Sequence, residues 1–111
     1  MIVRKNRCFL AAFNPALPRK LVTAYLDDRS EIQNWYSLLP GQIFIASDRS
    51  AQELSELLIR QFPKELFIVT HVDPSDCNGW MPEEVWDFIR EAQSPQASTE
   101  NSSRELSDAR S

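Results

Sequence analysis

His71 and Asp73 stand two residues apart at the end of the run Leu66-Phe67-Ile68-Val69-Thr70-His71-Val72-Asp73, so an extended chain points both to the same side. A histidine oriented by a carboxylate is a candidate general base or partial metal site. Cys8 and Cys77 add two soft ligands, and adjacency of the first and last strands would bring them near His71. Without a Cys-x-x-Cys pair, three such ligands match zinc spacing poorly, so the expectation is no metal, no cofactor, and a strand-end histidine beside a polar neighbour. The segment Asp73-Pro74-Ser75-Asp76-Cys77-Asn78-Gly79 resembles a calcium loop, with Glu84 at the twelfth place. Pro74 and Cys77 break its alternation of oxygen donors and the glycine falls one place late, which predicts a plain turn. Two glycines cannot build a phosphate loop, and there is no nucleophile elbow.

The aromatic groups Asn34-Trp35-Tyr36 and Asn78-Gly79-Trp80-Met81 are the other conspicuous feature. Aromatic side chains on an open sheet can stack bases. They can equally fill a core or a dimer interface. The chain of 111 residues carries 12 Lys plus Arg against 16 Asp plus Glu, a net charge of −4. Phosphate binding needs a surplus of Lys and Arg on one face. Arg4, Lys5, Arg7, Arg29 and Arg49 fall at the same sheet end as Asp27, Asp28, Glu31 and Asp48, so the field there is mixed and nucleic acid is not the expected partner. Trp35, Phe44, Trp80 and Trp86 are instead the candidates for a protein contact.

Strands and helices alternate along the first 93 residues. Cys8 to Phe13 is a continuous apolar run of strand length, stopped by Asn14-Pro15. Leu17, Leu21, Val22, Tyr25 and Leu26 recur at helical spacing and predict a helix from about Pro18 to Asp28. Gln33 to Leu39 and Gln42 to Ser47 flank Pro40-Gly41 and predict a hairpin. Ser50 and Glu53 have capping-box spacing ahead of Leu54, Leu57, Leu58 and Phe62, and Pro63 stops that helix. Leu66 to Asp73 predicts the last strand. A third helix starts at Pro82-Glu83-Glu84, with Val85, Trp86 and Ile89 as its apolar side.

This order makes an α/β, ferredoxin-like βαββαβ sandwich the expected fold: an antiparallel sheet, first and third strands central, two helices on one face, followed by a C-terminal helix. A sheet covered on one face alternates apolar with polar. Here three of the four strands are apolar on both parities, so the second face requires a cover, either the terminal helix or a second copy. Residues 94–111 hold six Ser and only Ala97, Leu106 and Ala109 as apolar groups, which predicts a disordered Ser-rich tail after a single domain spanning residues 1–93. Of the charge, residues 1–93 hold 10 basic and 13 acidic side chains, so the acidity belongs to the domain rather than the tail.

The apolar run after Arg7 is too short for a secretory signal, and no run approaches the ~20 residues of a membrane helix. A cytoplasmic protein with unpaired thiols is the expectation.

The first strand closing on Asn14, the Trp35-bearing second strand and the Gly79-Trp80 pair after the last strand resemble, over roughly Asn6 to Arg90, a superfamily of small ferredoxin-like proteins. It includes CRISPR-associated endoribonuclease-like proteins, VapD-type toxins and SinR-like proteins. The resemblance implies a homodimer. In the nuclease members an aspartate ending the first strand of each subunit holds a divalent ion at the dimer interface, and the matching position here is Asn14, whose amide lacks the charge for that role. The leading expectation is thus a non-catalytic interaction or dimerisation module. The alternative is a metal-dependent endoribonuclease of the toxin type, with Asn14, His71 and Asp73 as its polar site.

Overall fold

Strand β1 (Arg7–Phe13) is the apolar run and lies between two antiparallel neighbours. Helix α1 (Arg19–Asp27) follows Pro18, whose extended backbone forms its N-cap. Strands β2 (Asn34–Tyr36) and β3 (Gln42–Ser47) form the hairpin. Helix α2 (Ala51–Gln61) starts at the expected capping box: Glu53 N–H donates to Ser50 Oγ at 3.1 Å and Ser50 N–H donates to Glu53 Oε1 at 2.9 Å. Strand β4 (Phe67–Val72), a short 3-10 turn (Pro74–Asp76) and helix α3 (Glu83–Glu91) complete the computed structural model, which describes residues 5–93. The expected tail at residues 94–111 lies outside the described residues.

Over the described residues the fold is α/β, a four-stranded antiparallel sheet with three α-helices. The sheet order is β2-β3-β1-β4, which puts the first and third strands at the centre and leaves β2 and β4 as edges. Its two sides have separate cores. Phe9, Ala11, Ile43, Ile45 and Trp35 point to one side, where Val22 and Leu26 of α1 and Leu54, Leu57 and Leu58 of α2 cover them. Cys8, Phe44, Ala46 and Tyr36 point to the other, where Val85, Phe88 and Ile89 of α3 cover them. In β1 and β3 the doubly apolar pattern therefore reflects burial on both faces, with α3 covering the second one, whereas β4 leaves Ile68 and Thr70 on that face exposed.

Three details depart from the sequence reading. The second strand is only three residues long, because the chain turns away at Ser37. Ser37 Oγ donates to the Gln42 carbonyl at 2.9 Å, and Arg19 donates to Ser37 Oγ and the Leu38 carbonyl, both at 3.3 Å, so these groups serve the turn rather than a ladder. Phe88 takes the buried position on α3, while Trp86 is half-buried. Trp35 faces the α1/α2 side, 3% exposed, with its indole N–H donating to Asp27 Oδ1 at 2.9 Å.

Gly41 closes the hairpin with φ of +76°. Its carbonyl accepts from Phe13 N–H at 2.8 Å, and a Cβ there would lie 2.7 Å from the Phe13 carbonyl oxygen. Only glycine meets both demands.

Candidate interaction surface

Register divides the second face into rows running across the sheet. Asn34, Ala46, Cys8 and Val72 align in the first row, and Tyr36, Phe44, Leu10 and Thr70 in the next. Gln42, Ala12 and Ile68 form the third. Cover declines along this series. The first row is buried or half-buried, with Cys8 and Ala46 at 0% and 2% exposure. The third row is open, with Ile68 64% exposed beside half-buried Ala12. Leu66, just before β4, is 87% exposed, and Trp80, in the connection to α3, is 99% exposed. Scattered exposed leucines are ordinary, but a fully exposed Trp and an isoleucine turned outward from a strand are not.

Of the four aromatic candidates, the structure brings none to a common exposed patch. Trp35 and Phe44 are buried on opposite sides of the sheet, at 3% and 9% exposure, and have no surface to offer. Trp86 is half-buried against the second core, its Cη2 being 3.9 Å from where a Cβ on Gly79 would lie. Trp80 alone stands free in water.

The polar candidates are engaged in local structure. Asn14 Oδ1 accepts from Ala16 N–H at 2.9 Å, a turn-forming contact just beyond β1. Asp73 Oδ1 accepts from the Ser75 hydroxyl at 2.7 Å and from Ser75 N–H at 2.9 Å, capping a 3-10 turn where the sequence predicts a plain turn. These two bonds, the hydroxyl first, hold the Asp73 carboxyl below its ordinary pKa, with a smaller contribution from the charge of His71. His71 is exposed, and its ring meets Phe9 edge-on at 5.7 Å. Among the described residues no group of three or more His, Cys, Asp and Glu is arranged to hold a metal ion. Nor is any described helix long and apolar enough to cross a membrane.

Cys8 and Cys77 do come together in the second core, both as free thiols. Burial, and then the neighbouring Cys77, push the Cys8 thiol up to about 12. The thiolate is the reactive form, so a buried thiol with that pKa is inert at neutral pH. Titration of the native protein with a disulfide reagent near pH 8 should therefore show one fast thiol, Cys77. Cys8 should react only after addition of denaturant, and a Cys77→Ser variant should show no fast phase.

The exposed edge of β4 is a feature that strand and helix periodicity does not reveal. The signal was present in composition: Leu66 to Val72 contains no Asp, Glu, Lys, Arg, Pro or Gly. Comparison of the chain with protein-family models, with curated proteins and with solved structures found no match.

Proposed function

We propose that the chain is a non-catalytic interaction module, acting in the cytoplasm as a homodimer or bound to a protein partner, on a ferredoxin-like βαββαβ domain. The element order and the sheet order β2-β3-β1-β4 support that fold name. The observation that carries the function is that the three most exposed large apolar side chains among the described residues, Leu66, Ile68 and Trp80, belong to β4 or to the segments on either side of it, whereas the less exposed Leu21, Leu39 and Ile59 are scattered elsewhere. Burying each against a partner is worth about 1.5–3 kcal/mol. The resemblance in layout to the small ferredoxin-like superfamily supports a dimer. The net charge of −4 disfavours a nucleic-acid partner, and Asn14 Oδ1 and Asp73 Oδ1 serve local turns.

The test is solution mass by sedimentation across a concentration series, for wild type and for Trp80→Ala and Ile68→Ser. Both positions are exposed, so thermal unfolding should hardly change while association weakens; unchanged association in both variants overturns the surface. RNA incubated with the protein and Mg²⁺ or Mn²⁺ should stay intact. Cleavage abolished by Asn14→Ala would replace this reading with the nuclease one.

A further inference from the structure

The two edges of the sheet are built differently. Proteins blunt free edges with short strands, charges, proline or bulges, because unpaired backbone groups invite another strand. The β2 edge is blunted by length, being three residues followed by a turn. The β4 edge is not. It pairs with β1 without a bulge over six consecutive residues, Phe67 to Val72, and none of them is Asp, Glu, Lys, Arg or Pro.

We propose that β4 pairs with β4 of a second copy, antiparallel about a two-fold axis perpendicular to the sheet, to give one continuous eight-stranded sheet. The proposal rests on the interaction-module reading and names its partner and its surface. An axis in that direction keeps each face of the sheet continuous between copies, so paired residues must lie on the same face. Every register that pairs residues of like parity meets this condition, and centring it on the exposed Ile68 also avoids opposing like charges. With Ile68 opposite Ile68 of the second copy, Phe67 lies opposite Val69; continuing the pairing into the two residues before β4 sets Leu66 opposite Thr70 and Glu65 opposite His71. A carboxylate meets an imidazole, and no like charges meet.

Ile68 explains why this partner is favoured over an unrelated strand. It is 64% exposed in the single chain, and in this register it lies on the axis, against its own counterpart. Leu66, 87% exposed, lies two places along on the same face, so the two open patches merge into one across the axis. A heterologous strand would satisfy the backbone edge but supplies no reason for these residues to be complementary to themselves.

The test uses the full chain carrying Ile68→Cys with Cys77→Ser, oxidised by a small disulfide reagent. The engineered thiolate attacks the reagent disulfide, breaking its S–S bond and releasing one reagent thiol to leave a mixed disulfide, and its counterpart across the axis then displaces the second reagent thiol. The expected product is a covalent dimer formed at least ~10-fold faster than from a Leu21→Cys control in the same background, Leu21 being exposed on α1. A second variant, Ile68→Lys, places two ammonium groups face to face and should raise the dimer dissociation constant ~10-fold or more without lowering the melting temperature of the monomer. A chain that dimerises in solution yet cross-links no faster at Ile68 than at Leu21 overturns the edge pairing and leaves the module standing. A chain that sediments as a monomer at every concentration overturns the second copy as partner. RNA cleavage lost with Asn14→Ala overturns the module itself.

Discussion

Trp35→Ala should lower the stability of the fold by about 3–5 kcal/mol, the range for truncating a buried large aromatic. The ring is 3% exposed in the core beneath α1 and α2, together with Ile45, its register partner on β3. Its removal leaves a cavity that neighbours on a rigid sheet cannot collapse to fill. The indole N–H bond to Asp27 adds a smaller part, about 1 kcal/mol, because Asp27 is exposed and water can replace the donor. Trp35→Phe should isolate it, keeping most of the packing while losing the bond. For a domain of this size the alanine variant should melt ~10–30 °C lower. If Trp35→Ala changed solution mass without changing its unfolding midpoint in denaturant, the placement of Trp35 would be wrong.

Phe88→Ala should have the second large effect, again about 3–5 kcal/mol, but with a different signature. Phe88 is 4% exposed and packs its ring against Tyr36 at a centroid distance of 6.0 Å. Together with Val85 and Ile89 it is what attaches α3 to the sheet. Losing it weakens the cover of Cys8, Phe44 and Ala46 while leaving the α1/α2 core in place. The variant should therefore bind a hydrophobic dye below its melting temperature and expose Cys8 to thiol reagents, neither of which Trp35→Ala should do before global unfolding. An unperturbed Cys8 in Phe88→Ala would show that α3 is not the cover.

The contrast between these variants shows where the sequence was informative. The capping box of α2, the proline boundary after it and the alternation of strand and helix signals depend on neighbours within a few residues, so they were legible. The doubly apolar strands correctly demanded a second cover, because solvent-facing parity cannot be apolar throughout. Which cover it was depended on where residues 83–91 dock, a long-range fact that periodicity does not carry. The same applies to the tryptophans. Trp35 and Trp80 look alike in sequence, each preceded by a small or polar residue and followed by an apolar one, yet one is 3% and the other 99% exposed. Asn14 and Asp73 are residue types that suit chemistry, and they make the turn contacts that those same types favour.

The tight corner at Gly41 has a consequence for how the sheet chooses among alternative alignments. In most sheets a slip of one residue is forbidden because it would turn apolar side chains outward. In β3 that safeguard is weak, since Ile43 and Ile45 could exchange sides with Phe44 and Ala46 and both sets would remain buried. Discrimination between the native alignment and its slipped competitor then passes from hydrophobicity to a few polar and steric anchors: the Phe13 N–H bond to Gly41 at one end, and the Ser47 hydroxyl donating to the Glu31 carbonyl at 2.6 Å at the other. A slipped alignment of β3 is thus a competitor that these anchors, together with the Ser37 hydroxyl bond to the Gln42 carbonyl, select against.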